Sequence, residues 1–462
     1  MEDQNIAQNK MRTMPVGRLL FTMALPLAIS MLVQALYNVV DSLYVSRISE
    51  SAVTALSLAF PIQNLLIGFS TGTAVGVNSL LSKSLGENDR ERANRAAGNG
   101  IFITMICVMG FVLFGLFGSR PYFNMQSDVE ETIQGGTVYI SICCIFSLGI
   151  FGEILGERLL QASGRTIYTL FTQGTGAMLN ILLDPVFIFG VDFLGIPAMG
   201  IQGAAVATVT GQFVAALMAV LFNITKNKDL RFSLRYLKPD RYVIQKILTV
   251  GIPSIIMMAI GSVMTFGMNQ IFLGFQDYGE TAAAVFGVYF KLQSFFFMPL
   301  YGLNNASISI CAYNYGARQP DRIKKAVKLA VATALIVMTT GFLVFQIFPK
   351  QLIGLFEPSP QFLELGYYAL RIVSTHFPMA AVGVVLGAVF QALGNGIYTT
   401  IMALCRQLII LLPVAYLLGL TGSIHNVWWS FPISEFVSMI LAILFFIRIY
   451  RQKIKPLYNT ED

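Results

Sequence analysis

Two rows of polar side chains stand out in a chain otherwise short of charge: Gln34, Asn38 and Asp41 at i, i+4 and i+7, and Thr172, Gly176, Asn180 and Asp184 at intervals of four. On a helix, each of these spacings keeps its row on one face. Both carboxylates can therefore look into one polar interior. Two carboxylates held close in a weakly hydrated pocket repel, so the pair should hold a proton or recruit a cation. Oxygens from Asp41, Asn180 and Asp184 would suit a hard cation such as Na⁺. A purely structural polar cluster, or an interfacial carboxylate at a helix end, would use the same residues. Pro185 favours the functional reading, because it deletes a helix hydrogen bond beside Asp184 and can bend the chain there.

The elements that must position these rows follow from composition. Of 462 residues, 55% are hydrophobic and 12% charged, whereas a soluble domain carries about a quarter charged residues. This is an integral membrane protein. Twelve apolar runs, each long enough to cross a hydrocarbon core about 30 Å thick, are expected at 17–45, 52–81, 94–118, 130–160, 166–190, 199–223, 244–274, 281–313, 325–348, 362–391, 397–420 and 427–449. The first is too long for a cleaved signal peptide and reads as a retained helix. With the N-terminus inside, twenty-four Lys and Arg fall in cytoplasmic segments and three, Arg47, Arg120 and Lys350, in outer ones. This bias places both termini in the cytoplasm, accounts for the net charge of +7 and leaves no need for a nucleic-acid partner. Asp41 lies 23 residues beyond Arg18 and Asp184 lies 19 beyond Arg165. Both carboxylates thus rise roughly 28 to 35 Å from cytoplasmic markers.

The chain also repeats itself. "RLLFTMALPLAISM" (18–31) matches "KILTVGIPSIIMM" (246–258), "AFPIQNLL" (59–66) matches "YFKLQSFF" (289–296), "SLGENDRERANRAA" (84–97) matches "NYGARQPDRIKKAV" (314–327), and "LQASGRTIYT" (160–169) matches "FQALGNGIYT" (390–399). An offset near 230 residues contains six spans, so the halves share one topology. The expected organisation is a bundle over 1–223, a cytoplasmic linker over 224–242 and a second bundle over 243–462. Parallel repeats of this kind are a transporter architecture with alternating access.

Ionisable groups inside spans are costly and functional by default. Glu153 and Glu157 form an i, i+4 pair on the fourth span, although Glu157 and Arg158 lie near its end and can simply be solvated. The second half offers Lys291, Arg371, Arg406 and Glu435. Of these, Lys291 could pair with a carboxylate or snorkel, while Arg371 and Arg406 are expected to make fixed structural contacts. Gln34, Tyr37, Asn38, Gln63, Asn64, Glu153, Lys291 and Asn304, with Asn78 and Asn305, are candidates to line a cavity; interhelical hydrogen bonding would account for the amides equally well. Five cysteines and two histidines, His376 and His425, show no spacing suited to a metal site or a nucleophile. An intramembrane enzyme therefore lacks its chemistry. A membrane receptor would not need a duplicated bundle with buried carboxylates.

The combination of "ALPLAISMLVQALYNVVDSLYVSR", "LSKSLGENDRERANRAA", "QASGRTIYT" and "NILLDPVFIFG" resembles the multidrug and toxic compound extrusion family. The resemblance spans both halves. It implies an all-α membrane protein of twelve helices in two six-helix bundles, V-shaped around a central cavity. It also implies a cell-membrane antiporter, functional as a monomer and without an organic cofactor, that expels amphipathic, often cationic drugs in exchange for Na⁺ or H⁺. In that family the first-span aspartate and the Asn-x-x-x-Asp of the fifth span belong to the coupling site, which maps onto Asp41, Asn180 and Asp184. A branch that instead uses second-bundle carboxylates fits poorly, since the seventh span offers Asn269 and Gln270 and the tenth Arg371 and His376. Relatives in the same superfamily flip lipid-linked sugars. Lys291, Arg371 and Arg406 keep a diphosphate-binding flippase as the rival.

Overall fold

The computed structural model describes residues 10–45, 47–191, 195–275, 278–356 and 359–460. Among them the regular elements are helices, apart from an isolated bridge between Val191 and Ile196. Lipid offers no partner to a backbone N–H or C=O, so apolar runs of this length must close their hydrogen bonds internally. The major helices are α1 Val16–Val45, α2 Glu50–Gly86, α3 Arg90–Asn124, α4 (the pair Glu130–Ile145 and Leu148–Ala162), α5 Ile167–Phe189, α6 Ile201–Lys226, α7 Arg241–Leu273, α8 Gly279–Gly316, α9 Pro320–Ile347, α10 Pro360–Ala392, α11 Gly396–Gly419 and α12 Ile424–Tyr458.

Among the described residues, ten of these helices are long and apolar enough to cross a membrane, and α4, bent by 44°, makes eleven if its halves form one span. The remaining expected span is α5. At 23 residues it is long enough, but Thr172, Gln173, Asn180 and Asp184 interrupt its apolar surface. Other spans are locally irregular, α3 and α12 among them, with π-helical stretches at Phe114–Gly118 and Tyr450–Ile454. In α10 a 3₁₀ turn occupies Ser374–His376, and in α11 a π-helical stretch occupies Cys405–Leu411.

Internal repetition reaches the backbone. Asn88 and its counterpart Arg318 both take positive φ, 60° and 52°, and Gly164 and Gly394 do so at 76° and 74°. The closing hydrogen bonds repeat too: Asp89 N–H donates to Ser84 C=O at 3.0 Å and Gln319 N–H to Asn314 C=O at 2.9 Å. Asp89 then caps α3 by accepting from Arg92 N–H at 2.9 Å, while Pro320 begins α9, where a missing N–H costs nothing.

The chain packs as two compact units. One contains Ile29–Ile255; the other joins Ala7–Ala28 to Ile256–Asp462. The sequence repeat assigns all of α1 to the first half and all of α7 to the second, whereas packing divides both helices. Each division falls just beyond a helix proline, Pro26 or Pro253. Glycines explain the close fit. In the first unit a Cβ on Gly72 of α2 would meet the Ile255 backbone N at 2.9 Å, and in the second a Cβ on Gly302 of α8 would meet that of Ala28 at 2.5 Å.

The segment between α6 and α7 is tied to the first unit. Arg231 N–H donates to Asn94 Oδ1 and Asp240 N–H to Asn99 Oδ1, both at 2.8 Å. Ion pairs join Arg95 to Asp240 at 3.0 Å and Arg235 to Glu91 at 2.8 Å. Asp240 also caps α7 by accepting from Tyr242 and Val243 N–H at 3.0 and 3.2 Å. The Val243 N–H, followed by Arg95, holds the Asp240 carboxyl below the usual carboxylate range. Its contribution to stability is therefore complete above the unfolded pKa of about 3.9 and is lost as pH falls through the lower folded value. Asp240→Asn should melt below wild type at pH 7, and the difference should close on acidification through that window. A difference in melting temperature that does not change with pH would assign the loss to something other than the charge.

Candidate cation site on α5 and α6

The site begins with how α5 meets α6. Gly203, Ala207, Gly211 and Ala215 recur every four residues along α6 and are buried. They form a small-residue stripe of the kind that lets membrane helices approach closely. Gly176 of α5 sits against it: a Cβ on Gly211 would meet the Gly176 carbonyl oxygen at 2.7 Å. Close approach brings the polar row of α5 onto α6. Thr172, Gly176, Asn180 and Asp184 are all buried, Asp184 completely.

At one end of this row, Asn180 Nδ2 lies 3.4 Å from Asp184 Oδ1 and 3.2 Å from Thr208 Oγ1. Turning the amide over improves both contacts: its NH₂ then donates to Asp184 Oδ2 at 2.9 Å, and its oxygen accepts from Thr208 N–H at 3.0 Å and Oγ1 at 3.2 Å. A carboxylate, an amide and a hydroxyl thus share one buried cluster. Carboxylate, amide and hydroxyl oxygens are hard-cation ligands, and a buried carboxylate can equally be satisfied by a proton. Among the described residues no group of three or more His, Cys, Asp and Glu gathers in one place, so any cation here would rest on neutral oxygens as much as on carboxylates. Thr208 went unnoticed in the sequence. Its signal is faint: it adjoins the small-residue stripe that marks the α6 face turned to α5.

Farther along the row, Thr172 Oγ1 donates to Glu157 Oε1 at 2.6 Å and Gln173 Nε2 to Glu157 Oε2 at 2.9 Å. Glu157 and Arg158 are 3% and 5% exposed, which decides against solvation at this end of α4. Arg158 donates to Gln161 Oε1 at 2.9 Å. Asn223 of α6 donates to the Gly156 carbonyl at 2.7 Å, so α6 continues alongside the end of α4 and covers it. Glu153, one turn before Glu157, is half-buried. Thr172→Val should leave one Glu157 oxygen without its hydroxyl donor and cost about 1–3 kcal/mol. A melting temperature equal to wild type would contradict that assignment.

On α1, Gln34 is exposed and Tyr37 half-buried, while the side chains of Asn38 and Asp41 lie outside the described residues. On α2, Gln63 Nε2 donates to Tyr139 Oη of α4 at 2.8 Å and Asn64 is half-buried. Asn78 is buried and accepts from Ser82 Oγ at 3.0 Å, a packing role. In the second unit Lys291 is exposed, Asn304 half-buried and Asn305 buried. Arg371 bonds Tyr367 Oη at 2.6 Å and Gln346 Oε1 at 3.2 Å, the fixed contact expected. Arg406 pairs with buried Glu435 at 3.3 Å. His376 is buried, with Nδ1 2.6 Å from the Val373 carbonyl oxygen and its ring stacked on Phe431.

The MatE sequence profile matches residues 26–186 and again 253–417, one copy in each half of the repeat. Multidrug export protein MepA of Staphylococcus haemolyticus (strain JCSC1435) is 25% identical over 421 residues, covering 91% of each chain. An FAD transporter of Shewanella oneidensis (strain MR-1) is 24% identical over 423 residues, covering 91% of this chain and 92% of its own. A multidrug resistance MATE family transporter of the MOP superfamily, solved in an outward-facing conformation, shares the fold with a TM-score of 0.90 at 24% identity, covering 98% of this chain and 99% of its own. The two profile matches take in most of the chain, and with the duplicated helical fold they establish that this membrane protein belongs to the MatE family of transporters.

Proposed function

We propose that the protein is a secondary antiporter that exports amphipathic, often cationic compounds across the cell membrane in exchange for Na⁺ or H⁺. Asp41, Asn180 and Asp184 form its coupling site, and Thr208 is a further member. The observation that carries this reading is the buried Asn180–Asp184–Thr208 cluster on closely packed α5 and α6. A carboxylate buried in a span is costly unless an ion or proton satisfies it. Loading and unloading would therefore change the balance between two arrangements of α5 against its neighbours, with Pro185 weakening the helix beside the charge. Coupling requires that ion and exported compound prefer different arrangements, since equal affinity for both shifts nothing.

Arg406 is neutralised by Glu435, and Arg371 is engaged by Tyr367 and Gln346. A flippase would need cations of this kind for a diphosphate; the ion pair with Glu435 weighs against that role for Arg406, whereas Arg371, held by neutral partners, and exposed Lys291 keep their charge. The test is uptake by sealed proteoliposomes of a cationic dye, with FAD run in parallel because one relative is named for it. Gradient-driven dye flux supports the reading; flux of FAD alone replaces its substrate class.

A further inference from the structure

A groove in the second unit lies far along the chain from the coupling residues. It encloses about 1010 Å³ between the start of α9 and the end of α12, the upper end of the range for small-molecule sites, roughly 300–1,000 Å³. Lys324, Lys328, Arg451 and Lys455 line one end of it. All four are exposed, and none has an ion-pair partner among the described residues. The one carboxylate in the lining, Asp321, already accepts from Tyr458 Oη at 2.7 Å.

From the charged end the lining changes character in register on both helices. Along α9, Lys324 and Lys328, interspersed with buried Ile323 and Val327, give way to Val331; along α12, read back from its end, Lys455 and Arg451, interspersed with buried Ile454 and half-buried Tyr450, give way to Ile447 and Phe446. Leu386 of α10 closes the apolar part. The groove is therefore amphiphilic along its length, with its cations at the end of the spans and its apolar wall running toward their middle.

The repeat shows what such a surface does in the first unit. The offset of 230 aligns Asn94 with Lys324 and Gly98 with Lys328. There the chain's own connecting segment covers the helix: Arg231 N–H bonds Asn94 Oδ1 at 2.8 Å, and the Tyr236 carbonyl occupies the space where a Cβ on Gly98 would be. In the second unit lysines stand at both positions and the groove lies open. Its occupant must bring its own anionic group and its own apolar body.

We propose that this groove binds an anionic phospholipid of the surrounding leaflet, with the phosphate among Lys324, Lys328, Arg451 and Lys455 and an acyl chain along Val331, Leu386, Phe446 and Ile447. Basic pockets between spans at an anionic membrane surface hold lipid head groups for this reason. The site is independent of the coupling residues, so its test does not involve transport.

The full-length protein in neutral detergent is titrated with phosphatidylglycerol or with phosphatidylcholine of the same acyl chains, followed by melting temperature and by lipid retention in native mass spectrometry. Phosphatidylglycerol should raise the melting temperature and remain bound, and phosphatidylcholine should not. Lys324→Ala with Lys328→Ala and Arg451→Ala should weaken phosphatidylglycerol binding by roughly a hundredfold, given about a factor of five per basic residue at a membrane surface. Removing equal charge elsewhere, by Lys226→Ala, Lys228→Ala and Lys325→Ala, should leave it unchanged. If the triple groove variant does not purify, Lys328→Ala alone should weaken binding by roughly fivefold. Equal stabilisation by both lipids, full binding by the groove variant, or the same shift with inorganic phosphate alone would each overturn the proposal.

Discussion

Asp184→Asn should fold, insert and melt close to wild type, yet lose gradient-driven export by roughly 5- to 150-fold, the range set by coupling free energies of 1–3 kcal/mol. The substitution preserves shape and a hydrogen-bonding group toward Asn180, whose turned-over amide donates to Asp184 Oδ2 at 2.9 Å. It removes the charge that gives an ion or proton a reason to enter a fully buried position. Without differential ion binding the gradient has nothing to act on. Asp41→Asn should behave alike if both carboxylates serve one site. Thr208→Val, which removes an oxygen but no charge, should weaken the ion dependence more mildly. Efflux measured at saturating and at low ion concentration separates the cases: a lost ligand shifts the ion concentration required, whereas a lost charge removes the response.

The second large effect concerns the surface that holds the site together. Gly211→Val should destabilise the protein by about 1–3 kcal/mol or more from overpacking, because even a Cβ there would meet the Gly176 carbonyl oxygen at 2.7 Å and Asn180 Cβ at 3.5 Å. Helices α5 and α6 must separate to admit the side chain, and Asn180 then loses Thr208. Transport should therefore fall further than stability alone explains. Gly211→Ala should show a smaller version of both effects. A valine variant with wild-type melting temperature and flux would mean that the close approach of the two helices contributes neither to stability nor to the geometry of the site.

The row on α5 was legible in the sequence because a spacing of four residues keeps Thr172, Gly176, Asn180 and Asp184 on one helix face wherever the helix packs. Span positions were legible because lipid imposes length and apolarity. Thr208 was not, because a threonine among alanines and glycines gains meaning only once Asn180 is known to face it. Whether Glu157 and Arg158 are solvated or buried is left open by the sequence, because nearness to the end of an apolar run does not say what covers that end, and the structure buries both. α4 breaks by 44° before its second half, and Thr172 of α5 and Asn223 of α6 cover that half. Division of α1 and α7 between packing units was hidden as well. Gly72 and Gly302 occupy matching positions of the repeat, but what lies against each glycine is a property of the fold alone.

The most direct test of the central claim is dye transport in proteoliposomes with Na⁺ and H⁺ gradients imposed separately, comparing wild type with Asp184→Asn and Asp41→Asn. Flux in the wild type driven by one gradient and lost in both variants, with folded protein in the membrane, is the predicted result and identifies the coupling ion. Variants that transport as wild type under the same gradient would contradict the assignment of the α1 and α5 carboxylates to coupling.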